Sequence, residues 1–237
     1  MKKIFVGILL MSQFLHGVAP SNKEQIVIAL DLHGVVFDFS YQKFVRATLD
    51  FLKKDFLHTV SLMNPFCAYR IITILNKSSW TAENVYRELT RYYPKLADRH
   101  GEFLQLCNAY ELNVAMHELI SDLKKQGYRI AVCSNIGEQA YHRFVQEYPQ
   151  FFEHCEVAKV SAGHEAYMRK PAPNFFINFK QMCHEKFGHD DLYIVFADDK
   201  NKNIKSAEKY GIKKGHVFKN AAQFKKFLIK EIGFQPS

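Results

Sequence analysis

The chain has 237 residues, 48% of them hydrophobic, with 21 Phe and 12 Tyr and a formal net charge of +8. That length and apolar content suit one large domain, or a domain carrying an insertion, and exclude a globally disordered chain. No apolar run reaches the ~18 residues of a membrane span, so none is expected in the mature chain.

The first nineteen residues differ from the rest. Lys2 and Lys3 precede an apolar run over residues 4–11, Phe14 and Leu15 extend it, and Gly17, Val18 and Ala19 supply small residues of the kind found at a cleavage site. Residues 1–19 therefore read as a signal peptide. A working leader implies an exported protein, periplasmic or secreted; otherwise the protein is cytoplasmic. Pro20 disfavours cleavage after Ala19, and the competing reading is a short buried N-terminal strand or helix.

Residues 26–32 (IVIALDL) form a short, almost wholly apolar run, as expected of a strand covered on both faces in a parallel sheet. Beyond it, residues 38–110 contain no convincing strand. Tyr41, Val45, Leu49, Leu52 and Phe56 make an amphipathic helical stripe, Pro65 precedes a second apolar run through Leu75, and Val85, Leu89 and Tyr93 mark a third helix. This is far more chain than one crossover helix needs. The segment reads as an inserted helical subdomain, leaving residues 20–37 and 111–237 as the core.

The core resumes with Leu112, Met116, Leu119 and Leu123 at helical spacing, followed by Gly127 where a terminating glycine belongs. Residues 128–133 (YRIAVC) and 192–197 (LYIVFA) repeat the strand type of the first run, with shorter candidates at 156–160 and 216–218. Another helix opens over residues 204–210 and closes at Gly211. Strand and helix alternate, which predicts an α/β fold with a Rossmann-like, doubly wound parallel sheet.

Five cysteines, an odd number with no CxxC pair, sit mostly in apolar stretches and read as small core residues. They lend no support to an oxidising compartment. Much of the basic excess lies between Lys200 and Lys230 and reads as solvated helix faces, so no nucleic-acid partner is expected. A positive field would also attract phosphorylated substrates.

Chemistry gathers at the strand ends, where open α/β sheets bind ligands. The first strand ends in Asp31, followed by Leu32, His33 and Gly34. The second ends in Ser134 and Asn135, Arg169, Lys170 and Pro171 come later, and the last strong strand ends in Asp198 and Asp199, with Asn203 beyond. Taken singly, each has a bland role as a turn residue, a loop lysine or a helix cap. Taken together they suit an oxyanion. Carboxylates from two strands can hold Mg²⁺, a hydroxyl and an ammonium can hold phosphate oxygens, and Asp31 can attack phosphorus in line.

In this order and strand context the four elements resemble the haloacid dehalogenase (HAD) superfamily, over about residues 26–219. Lys170-Pro171 and the double aspartate look most like its sugar-phosphate phosphatases and epoxide-hydrolase N-terminal phosphatase domains. The resemblance implies Asp31 as nucleophile, Ser134 with its neighbour Asn135 as substrate-binding groups, and Lys170 as the positioning lysine. It implies Asp199 as a direct metal ligand, Asp198 as a neighbouring one, and a metal contact from the backbone carbonyl of His33. Mg²⁺ becomes the expected cofactor, a small phosphorylated metabolite the expected substrate, and the insertion a cap.

One departure stands out: His33 occupies the position where the family's phosphatases carry a second aspartate as acid/base. A histidine titrates near ~6.5 and could protonate the leaving alkoxide. Beside Asp31 and Asp199 its pKa is expected to rise. The alternatives are a poor enzyme, a binding module that has lost turnover, or a metal-independent haloacid dehalogenase. Against the last, an unscreened carboxylate pair beside Asp31 would repel it.

Overall fold

A computed structural model describes residues 20, 22–53, 82–107, 109–161, 168–189 and 191–236. The leader segment, Phe56, the run from Pro65 to Leu75, Cys67 and Trp80 lie outside these.

The first strand, β1 (Ile26–Leu30), is followed by a tight turn, a short strand β2 (Phe37–Phe39) and helix α1 (Tyr41–Lys53). Helices α2 (Ala82–Tyr92) and α3 (His100–Cys107) complete the described part of the insertion, and β3 (Tyr110–Leu112) returns the chain to the core. Next come α4 (Val114–Lys125), β4 (Arg129–Gly137), α5 (Glu138–Glu147), a single turn α6 (Pro149–Phe152) and β5 (Cys155–Ser161). The chain ends with α7 (Pro173–Phe187), β6 (Tyr193–Asp198), α8 (Asn201–Lys209), β7 (Lys214–Val217) and α9 (Ala221–Ile232).

Five strands form one sheet in the order β5-β4-β1-β6-β7, every neighbouring pair parallel. All five residues of β1 are buried. Alternate side chains point to opposite faces of a strand, so Ile26, Ile28 and Leu30 enter a core with Met116, Leu123, Phe144 and Phe224. Val27 and Ala29 enter a second core on the other face, with Phe175, Phe176, Phe179 and Ile204. Helices cover both faces, which is the expected doubly wound α/β arrangement.

The insertion differs from expectation in two ways. Its ends are not strand-free: β2 and β3 pair as a two-stranded antiparallel ribbon, Phe37 opposite Leu112 and Phe39 opposite Tyr110. Strands of three residues are too short to leave a readable alternation. In addition, the apolar stripe of α1 is not the face that packs among the described residues. Tyr41, Val45 and Leu49 are exposed, while Ala47 is buried and Phe51 joins a small cluster of Val85, Leu89, Leu96 and Phe103.

Candidate active site

Register places the acids. Leu30 lies opposite Val132 of β4 and Ala197 of β6, so the residues that follow, Asp31 and Asp198, emerge side by side at the carboxyl edge. The Asp31 backbone N–H donates to the Ala197 carbonyl at 2.9 Å, holding the first strand's end against β6. The carboxylate of Asp31 accepts from the Leu32 backbone N–H at 2.8 Å and from the Ser134 hydroxyl at 2.6 Å, both on Oδ1.

Lys170 arrives from the segment ahead of α7, and its side chain is wholly buried. Its Nζ lies 2.9 Å from Asp31 Oδ2 and 2.6 Å from Asp198 Oδ2. Burial works against this ammonium, but the two carboxylates outweigh it and raise its pKa. Burial pushes the Asp198 carboxyl up, with Lys170 opposing. Asp198 is further tied by the Asn203 amide, at 2.9 Å and 3.0 Å, and by the Lys200 backbone N–H at 2.8 Å. Asn203, marked in the sequence only by its place after the acid pair, therefore fixes the buried acid.

The Asn135 side chain is bonded to the backbone of Lys170. Its Oδ1 accepts from the Lys170 backbone N–H at 2.7 Å, and its Nδ2 donates to the Lys170 carbonyl at 2.8 Å. It clamps the lysine's backbone.

Asp199 is exposed, one residue beyond its buried neighbour. One carboxylate oxygen from each of Asp31, Asp198 and Asp199 lies within 4.8 Å of the others. The turn after Asp31 makes room for this. Gly34 has φ +77°, and a Cβ there would stand 3.3 Å from the Asp199 carboxyl carbon and Oδ2. The positive φ favours glycine, and any side chain there would press on Asp199.

His33 sits over this turn. Its ring stacks on Tyr110, with centroids 4.1 Å apart and planes 12° apart, and meets the edge of Phe144 at 5.6 Å. Nε2 is buried with no hydrogen-bond partner among the described residues. The expected rise of its pKa is wrong: burial first, then the charges of Lys200 and Lys170, lower it to about 4, with Asp199 opposing. Sequence spacing reveals only the acids near His33; the folded chain adds two ammonium groups and removes water.

The donor set fits a divalent cation. Three carboxylates face one buried ammonium, which leaves roughly two negative charges for a bound ion to match. Lys170 already screens Asp31 from Asp198, so Asp199 is the carboxylate whose repulsion is left for a cation to offset. Hard carboxylate oxygens, one of them on an exposed residue, are what Mg²⁺ takes when it keeps several waters.

No protein-family profile matches the sequence, and no curated protein is significantly similar to it. Solved structures are similar in fold. A HAD family enzyme from Bacteroides thetaiotaomicron, solved with magnesium and inorganic phosphate, aligns with a TM-score of 0.56 and 18% identity, covering 86% of this chain and 95% of that one. A hydrolase from Streptococcus pneumoniae aligns at 0.52 and 16% identity, over 87% of this chain and 99% of its own. A predicted HAD-like family hydrolase from Porphyromonas gingivalis aligns at 0.50 and 17% identity, over 86% and 98%. The chain has a HAD-like fold: a Rossmann-like α/β core with a helical insertion.

Proposed function

We propose that the protein is a Mg²⁺-dependent hydrolase of phosphate monoesters that works through an aspartyl-phosphate on Asp31. The observation that carries this reading is the meeting of the Asp31, Asp198 and Asp199 carboxylates, with Lys170 and Ser134 bonded to the first. Asp31, Asp199 and the His33 carbonyl would hold the ion, with Asp198 behind. Bound there, Mg²⁺ would offset the repulsion between Asp31 and a phosphate dianion and stabilise charge on the transferring group.

Asp31 attacks phosphorus as the ester P–O bond breaks, and the leaving oxygen takes a proton. Lys170 and Ser134, already on the nucleophile's two oxygens, stand where phosphoryl oxygens arrive and supply preorganised donors. Water then attacks the aspartyl-phosphate, releasing phosphate and restoring Asp31. His33 holds the acid/base position for both proton transfers. In the free protein it is neutral near pH 7, suited to activating water but lacking the proton for the first step. A substrate dianion beside the ring would push its pKa back up.

The insertion acts as a cap that excludes water and selects the leaving group, and a small phosphorylated metabolite suits such a cover. Export through residues 1–19 belongs to the same proposal, and the mass of the mature N-terminus tests it. The lowered pKa of His33 favours a second reading, a phospho-ligand binding module with impaired turnover. A phosphatase assay with p-nitrophenyl phosphate separates them. The enzyme reading expects Mg²⁺-dependent release that Asp31→Asn abolishes. Saturable ester binding without turnover would support the module, and metal-independent halide release from a haloacid would support a dehalogenase.

A further inference from the structure

We infer that Tyr110, on the strand that leaves the cap, is the positioning residue for His33. The inference rests on the phosphatase reading given above and deepens it: the cap would set the orientation of the acid/base group as well as cover the site.

A proton donor or acceptor works only when held within hydrogen-bond reach of the reacting oxygen. Acid/base side chains are commonly held by a second polar group. The imidazole of His33 is held differently. Its Nε2 is buried and has no hydrogen-bond partner among the described residues, and two aromatic rings pack against the imidazole. Phe144, from core helix α5, offers an edge at 5.6 Å. Tyr110 offers a face at 4.1 Å, nearly parallel. A stacked ring fixes the plane of its partner, which fixes where the two ring nitrogens point.

Tyr110 is itself anchored to both parts of the molecule. Its carbonyl accepts from Lys43 Nζ of α1 at 2.8 Å and from the Tyr148 hydroxyl at 3.2 Å. Lys43 also donates to Tyr148 Oη at 2.8 Å and pairs with Glu147 at 3.5 Å. The first insertion helix and the end of core helix α5 thus meet on the backbone of the residue whose ring covers His33. A displacement of α1 passes through Lys43 to Tyr110 and so to the imidazole plane.

The test uses two esters of similar shape in the full chain with Mg²⁺. Phenyl phosphate must expel an oxygen about as basic as tyrosine, with pKa ~10, and needs a well-placed acid; p-nitrophenyl phosphate expels a much weaker base and needs little help. Tyr110→Leu is expected to lower kcat on phenyl phosphate several-fold, up to about tenfold, with KM unchanged and p-nitrophenyl phosphate nearly unaffected. Tyr110→Phe keeps the stack and should restore the wild-type ratio. In NMR spectra, the His33 ring-proton signals should lose their ring-current shift in Tyr110→Leu and regain it in Tyr110→Phe, independently of turnover. If the wild type turns over both esters and Tyr110→Leu slows them equally, or slows neither, the positioning role is overturned while the phosphatase reading stands. A wild type that hydrolyses neither ester overturns that reading, and Tyr110's role in the reaction with it.

Discussion

Around Asp31, the side chains of Ser134, Lys170, Asp198 and Asn203 are all buried and bonded to one another. The insertion's first helix, by contrast, leaves Tyr41, Val45 and Leu49 exposed, and its described apolar residues gather in a small cluster of their own. The difference separates two tasks. Strand register holds the reacting groups in a network with little freedom, and freedom there would cost rate. The described part of the insertion is joined to the core through the β2–β3 ribbon and the Lys43 contacts. Substitutions at the strand ends should therefore break chemistry or folding outright, while those at the insertion's attachments should alter the protein more gently.

The largest effect is expected from Asp31→Asn, which removes the nucleophile and should lower kcat by roughly 10⁴-fold or more, read as phosphate release. Lys170→Met leaves Asp31 and Asp198 buried without their cation. It should destabilise the fold by about 3–5 kcal/mol, read as a lowered urea midpoint with unchanged slope.

The pH dependence of stability tests the His33 environment. Its pKa falls from 6.5 unfolded to about 4 folded, so between these values the unfolded chain binds the extra proton. Its contribution is full above pH 6.5, is lost as pH falls towards 4, and does not change further below that. The whole step is at most about 3 kcal/mol. His33→Gln should therefore shrink the stability difference between pH 7 and pH 4, and an unchanged difference would refute the buried, neutral imidazole.

Smaller still, Gly34→Ala should cost about 1–2 kcal/mol from its positive φ, and it should weaken Mg²⁺ binding because the new methyl presses on Asp199. Lys43→Ala, at a half-exposed ion pair, should change stability by less than about 1 kcal/mol. A large loss there would erase the contrast between the two regions.

The sheet was readable because its strands are buried on both faces, which leaves near-continuous apolar runs such as IVIAL in β1. The positions of Asp31, Ser134 and Asp198 followed, since each closes such a run. What the sequence hid are contacts between distant residues. The Asn135 clamp on Lys170 spans 35 residues and looks, in sequence, like any turn asparagine. The stack of Tyr110 on His33 depends on β3 returning beside β1's turn, and three-residue strands carry no periodic signal. The sign of the His33 shift depended on burial and on Lys200 and Lys170, whose distances no spacing gives. The exposed stripe of α1 shows the same limit: apolar spacing identifies a helix but not which neighbour its face meets.

Calorimetric titration of Mg²⁺ into the full chain, with inorganic phosphate present, shows whether Asp31 and Asp199 share one divalent ion. One saturable site in the wild type, lost or greatly weakened in Asp199→Asn, is the predicted result. No binding by the wild type, or equal binding by both proteins, would contradict it.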